Sequence, residues 1–189
     1  PDVILTAGTP GTLAAKQATQ AIPIVTAIAG DAVATGLVAS LARPGGNVTG
    51  LSTLAPELDG KRLELLKAVV PKLSRVAVLR NPANPFTTIA WKAMQSAAEA
   101  LSVTLHPAEA SSPNELDRAL GRIETARPDG LVLIVDRFLA SYRASIVQFV
   151  GKTRLPGMFP YPVFAHEVGL LSYGPDYGAG VAVMEFETV

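Results

Sequence analysis

Val3-Ile4-Leu5-Thr6-Ala7, followed at once by Gly8-Thr9-Pro10 and an alanine-rich stretch to about residue 20, decides how the rest of the chain is read. The first five residues are apolar without alternation, as expected for a strand covered on both faces of a parallel sheet. Gly8 permits a sharp turn, Thr9 is a good helix N-cap and Pro10 suits the first helical position. A buried strand leading directly into a capped helix is one βα unit.

Working outward, the same alternation recurs. A second strand is expected over residues 22–27, with Gly30-Asp31 opening a helix to about residue 41. Ala42-Arg43-Pro44-Gly45-Gly46-Asn47 is a dense turn signal, after which a strand is expected over 48–51. Residues 56–70 read as an amphipathic helix with Leu58, Leu63, Leu65, Leu66 and Val69 mainly on one face. Further strands are expected over 75–79, 103–106, 130–135, 155–159 and 169–173, and helices over 85–101, 113–126 and 137–152. Ser112 with Glu115 is a capping-box match at the start of the second of these helices. The fold class is α/β, with repeated βα units over parallel sheets.

Bulk properties narrow the function. Of 189 residues, 49% are hydrophobic, enough for one sizeable core or two small lobes. Sixteen basic residues balance sixteen acidic ones, with no long run of either sign. That balance argues against nucleic acid, which needs clustered Lys and Arg, and against a polybasic membrane surface. Without cysteine there is no disulfide, thiolate metal site or cysteine nucleophile. The sequence contains no signal peptide or membrane span. Because the chain opens almost directly on a core strand, preceding sequence is expected.

Each candidate residue has a functional and a plain structural reading. Gly8-Thr9-Pro10-Gly11-Thr12 fails as a phosphate loop, since Lys16 is misplaced and is followed by Gln17. What remains is a helix start whose N–H groups and hydroxyl suit a carboxylate, or a helix simply capped by Thr9. Asp31 either meets a ligand ammonium or caps its own helix. Asn81, in Asn81-Pro82-Ala83-Asn84-Pro85, lies near the carboxyl end of a strand, where ligands bind in open α/β sheets, or else specifies a turn. Asp136 closes the run 131–135 in the same way. Tyr173-Gly174-Pro175-Asp176-Tyr177 places rings and the Asp176 carboxylate around a tight turn, where Tyr173 can stack on a ligand. His106 and His166 lack ligand spacing, and no nucleophile elbow accompanies Ser172, His166 and Asp176, so no catalytic residue and no metal site is assigned.

Several strings resemble one family: Pro1-Asp2-Val3-Ile4 leading to Gly8-Thr9-Pro10, Ile22-Pro23-Ile24-Val25 with Gly30-Asp31, and Ala42-Arg43-Pro44-Gly45-Gly46-Asn47-Val48-Thr49-Gly50. Lys61-Arg62-Leu63-Glu64-Leu65-Leu66, Arg75-Val76-Ala77-Val78-Leu79 and Leu171-Ser172-Tyr173-Gly174-Pro175-Asp176 add to them. The set is similar to the ABC transporter substrate-binding proteins that include TrpX-like, tryptophan- and tyrosine-binding members. The resemblance implies a type I periplasmic-binding-protein fold with two parallel-sheet, Rossmann-like lobes, the first incomplete. It also implies export, as a periplasmic protein or surface lipoprotein, and a membrane permease as partner. The family's first βα units are absent, and the sequence after Asp176 departs from its Arg-rich helix.

The expectation is therefore a non-enzymatic solute-binding component of an ABC importer. Residues 1–53 would form a partial first lobe, 54–170 a second lobe, and 171–189 a hinge and return segment. A small organic solute such as an amino acid would lie between the lobes, with Gly8, Thr9, Asp31, Asn81, Asp136, Tyr173 and Asp176 as candidate contacts and no cofactor. The effector-binding domain of a transcription regulator, which shares the fold, is the alternative. A flavodoxin-like enzyme would need nucleotide or metal chemistry that the sequence does not display.

Overall fold

The computed structural model describes residues 1–53, 57–164, 171–174 and 184–186. Its strands are β1 (Ile4–Thr6), β2 (Ile24–Gly30), β3 (Val48–Thr53), β4 (Arg75–Arg80), β5 (Thr104–Glu109), β6 (Gly130–Leu133), β7 (Gly157–Phe159), β8 (Leu171–Ser172) and β9 (Met184–Phe186). Its helices are α1 (Thr9–Ala18), α2 (Glu57–Val69), α3 (Pro85–Leu101), α4 (Pro113–Ala126), α5 (Arg137–Ser141) and α6 (Arg143–Thr153).

The strands form two sheets, ordered β1-β2-β3-β9 and β5-β4-β6-β7-β8. Among the described residues every pairing is parallel except β3 with β9, where Leu51 faces Glu185 in antiparallel register. The segment after residue 174 thus contributes a strand to the first sheet although it follows the last strand of the second.

The second sheet is enclosed on both faces. One core gathers Leu79, Leu131, Leu133, Leu120, Ile146 and Phe159 with α4 and α6. The other gathers Val76, Val78, Val132, Leu63, Leu66 and Met94 with α2 and α3. β4 and β6 run between these layers, so Val76 to Leu79 and Gly130 to Leu133 are buried on both faces of the sheet.

The first sheet has one such cluster, built on Ile24, Ala29, Leu37 and Val48 with Ile4 and Leu13 against it. Beneath α1, the Thr12 hydroxyl lies 2.9 Å from that of Thr6 and donates at 3.0 Å to that of Thr26. This triad, with Thr12 and Thr26 buried and Thr6 half-buried, fixes α1 to β1 and β2. The opposite face of β1 departs from the two-sided burial expected of it, for Val3 is 52% and Leu5 74% exposed. The α1 side takes Ile4 and Thr6, and strand alternation sends Val3 and Leu5 the other way, where no described element covers them.

Two expected helices are also corrected. In place of a helix over 30–41, the chain makes a series of turns. Gly36 takes φ 73°, the Asp31 Oδ1 accepts from Ala34 N, and both Leu37 N and Val38 N donate to Ala32 O. A left-handed glycine in mid-segment breaks the helix while leaving Ala32, Leu37 and Val38 buried. The helix expected over 137–152 is divided at Tyr142, whose φ of −101° and ψ of 20° lie outside the helical region.

The turn-rich string 42–50 has a structural explanation. The Asn47 side-chain amide donates to the carbonyls of Thr19 and Ile22, and Asn47 O accepts from Ile24 N. Gly50 takes φ 135°, and a Cβ there would lie 2.0 Å from Thr26 O. The string holds β3 tightly against β2, at and beyond the end of the strands remote from their carboxyl termini.

Candidate functional site

The carboxyl ends of strands from both sheets converge on one cavity of about 330 Å³. From the first half it is lined by Gly8 and Thr9 after β1, Ala27 to Gly30 of β2, and Leu51 and Thr53 of β3. From the second half come Asn84 and Phe86 at the start of α3, Val135, Asp136 and Arg137 after β6, and Tyr161 after β7. Its volume falls at the small end of the range for ligand pockets, and its position is where parallel α/β sheets take ligands.

Two contacts between the halves, among the described residues, lie beside this space. A Cβ added to Gly30 would come within 2.5 Å of the Phe86 ring, so the aromatic side chain of one half rests on the bare backbone of the other. A Cβ on Gly8 would lie 3.0 Å from Arg137 Cγ. Gly8 also has φ 84°, a conformation costly for any other residue.

Thr9 is buried and is the first residue of α1, with Gly8 at the N-cap position. Its hydroxyl accepts from Gly30 N at 3.0 Å and is 3.4 Å from Gly30 O, binding α1 to the end of β2. Gly8 N donates to Ile28 O. These bonds place the α1 N-terminus at the cavity wall, while the Thr9 hydroxyl is engaged within the first half.

Asp136 is 3% exposed and lies at the centre of a polar cluster. Its Oδ1 accepts from Leu139 N at 2.9 Å, making it the N-cap of α5. Its Oδ2 accepts from Asn84 Nδ2 at 2.9 Å, and Asn81 Nδ2 lies 3.3 and 3.2 Å from the two oxygens. Asn81 in turn closes its own turn through Oδ1 to Ala83 N, and its carbonyl accepts from Asn84 N. Thus Asn81 supports the cavity from behind Asp136, whereas Asn84, read from sequence only as part of a turn, is in the lining.

The remaining candidates lie elsewhere or outside the described residues. Asp31 is not in the lining; its carboxylate accepts from Ala34 N, and its backbone N–H donates to Thr53 O beside the cavity. Tyr173 is 40% exposed and outside the lining. Its carbonyl accepts from Arg62 Nε at 2.7 Å, and its N–H donates to Phe159 O. Asp176 and His166 fall outside the described residues, and His106 is exposed on β5. No group of three or more potential metal ligands occurs among the described residues.

Arg62 belongs to a second buried polar group, on α2. It pairs with Asp59, and both side chains are almost wholly excluded from solvent. Burial pushes the Asp59 carboxyl up to about 6 despite the adjoining guanidinium, and Asp59 Oδ2 has no hydrogen-bond partner. Gly174 packs closely here, since a Cβ would lie 2.1 Å from Pro160 O and 3.2 Å from an Arg62 nitrogen.

Two α/β halves that meet at a cavity at their strand ends are the arrangement of the type I periplasmic-binding-protein fold. The family comparison agrees. The family model described as ABC transporter substrate binding protein matches residues 1–185, and the chain belongs to that family.

A curated relative from Clostridioides difficile (strain R20291), named a tyrosine-binding protein, is 29% identical over 173 residues. That match covers 92% of this chain and 48% of the relative, so the chain spans about half the relative's length. A conserved domain protein from Vibrio cholerae superposes with a TM-score of 0.82 at 29% identity, covering 94% of this chain and 59% of that one. A Streptococcus pneumoniae ABC domain solved in complex with L-Trp gives 0.83 at 24% identity, covering 93% and 60%, which speaks to the fold alone. No helix among the described residues is long and apolar enough to cross a membrane.

Proposed function

We propose that the chain is the solute-capturing part of an ABC importer and that its ligand binds in the cavity between the two sheets. One observation carries this reading: the lining comes from strand ends of both sheets, so a ligand there would be held by both halves at once. In this reading residues 1–53 act as the first lobe, 54–170 as the second, and 171–189 as the hinge and return.

Gly8, Thr9 and Asp136 frame the site directly. Asp31 and Asn81 fix the loops behind it, and Tyr173 and Asp176 fall within the proposed hinge and return, residues 171–189. A ligand that contacts both halves favours their closed arrangement, and the loaded form is what a membrane permease would recognise. The protein would work outside the cytoplasm, in the periplasm or as a surface lipoprotein. Names of relatives make aromatic amino acids an early class to screen.

Thermal-shift or native mass spectrometry screening of the full-length protein with amino acids, organic acids, nucleosides and sugars tests the proposal. Saturable stabilisation by a solute is expected, with affinity reduced at least about tenfold in Gly30→Val, whose side chain would displace Phe86 and wedge the halves apart. Undiminished affinity in that variant would place binding elsewhere.

A further inference from the structure

Resting on the capture reading above, we propose that the cavity selects a small apolar monocarboxylate lacking an ammonium group, with Arg137 as its counter-charge. Among the described lining residues there is one acidic and one basic side chain, Asp136 and Arg137, and their situations are opposite.

The Asp136 carboxylate is occupied. Leu139 N, Asn84 Nδ2 and Asn81 Nδ2 make four contacts with its two oxygens, about the number of lone-pair positions a carboxylate offers. It is also 3% exposed, so a ligand ammonium could reach it only by breaking the cap of α5 or the asparagine contacts. Asp31 is absent from the lining and turns an oxygen to Ala34 N. An ammonium enclosed here would therefore find no uncommitted carboxylate among the described lining residues, and an enclosed charge without a partner is costly.

Arg137 has no hydrogen bond or ion pair among the described residues. It lines the cavity, is exposed, and lays its stem across Gly8 of the opposite half. A guanidinium presents a planar fork of donors suited to bidentate contact with a carboxylate. The rest of the lining includes Ile28, Leu51, Phe86 and Val135, which suits an apolar body on that carboxylate. One half thus supplies the charge, and the same side chain abuts the other half. This selectivity would separate the chain from relatives whose names specify tyrosine or tryptophan.

Two matched ligand sets test the inference by calorimetry on the full-length protein. One is hydrocinnamate, L-phenylalanine and phenethylamine; the other is isocaproate, L-leucine and isoamylamine. In at least one set the acid is expected to bind at least about tenfold more tightly than the amino acid, with no saturable binding of the amine. Arg137→Gln, at an exposed position, should retain the fold by circular dichroism and lose at least about tenfold in affinity for the acid, with partial recovery in Arg137→Lys.

Amino acids binding as tightly as the acids, unchanged acid affinity in Arg137→Gln, or no binding by either set would overturn the inference. Preference for an amino acid would leave the capture reading standing. Failure of the entire solute panel would instead remove that reading.

Discussion

The sheet β5-β4-β6-β7-β8 is sealed between two apolar layers, whereas β1-β2-β3-β9 has, among the described residues, a single small cluster and an exposed β1 face. Both nevertheless end at the same cavity. In the sealed half the strand ends are held by apolar packing plus the Asp136 cluster. In the open half they are held mainly by hydrogen bonds: the Thr6, Thr12 and Thr26 hydroxyls, Thr9 on Gly30, and Asn47 on the preceding loop. Packing supplies most of the stability in one half, while directional bonds set the geometry of the site in the other.

The largest effect should separate the halves by burial. Leu133→Ala, deep in the second sheet, is expected to destabilise by about 2–5 kcal/mol, because it leaves a cavity that the two layers cannot close. Leu5→Ala, on the open face of β1, should change stability by no more than about 0.5 kcal/mol. Urea denaturation of both variants measures the contrast, and equal losses would show that the open face of β1 is covered in solution.

A smaller effect concerns pH. Asp59 has a folded-state value of about 6 against 3.8 for the ordinary group, so the native state holds more protons between those values. Its contribution to stability should therefore become more favourable as pH falls through about 6 and level off below 3.8. Comparing thermal midpoints of wild type and Asp59→Asn across that window isolates the group from Glu115 and Asp129, whose lowered values act in the opposite sense. A midpoint difference independent of pH would mean that Arg62 keeps Asp59 ionised throughout.

How far the sequence foretold the structure varies with the range of the determining contacts. α3 and α4 agree with expectation because local signals fix them: Pro85 after the Asn84 cap, and Pro113 with Glu115 in the first turn. Even there Glu115 accepts from the N–H and hydroxyl of Ser111 rather than completing the box with Ser112. The apolar spacing of Ala32, Leu37 and Val38 imitates a helix, and the backbone sign at Gly36 that breaks it is not written in hydrophobic pattern.

The site shows the same division. Gly8, Thr9 and Asp136 were legible because each follows a strand end, which parallel α/β topology aims at a common edge. Arg137 was not, although it is the next residue, because its position matters only through Gly8, far away in sequence and in the other half. Nor could sequence reveal that Asp136 is occupied by Asn81 and Asn84, which depends on how the turn after β4 meets the end of β6. The 42–50 string was distinctive for a different reason, the close approach of β3 to β2.

Hydrogen-exchange mass spectrometry with and without the best ligand from the solute screen tests the central claim most directly. Ligand should slow exchange together in the peptides containing Ala27 to Gly30 and Val135 to Arg137, the two walls of the cavity, with little change on the outer face of α4. Slowing confined to one wall, or centred on α4, would contradict capture between the sheets.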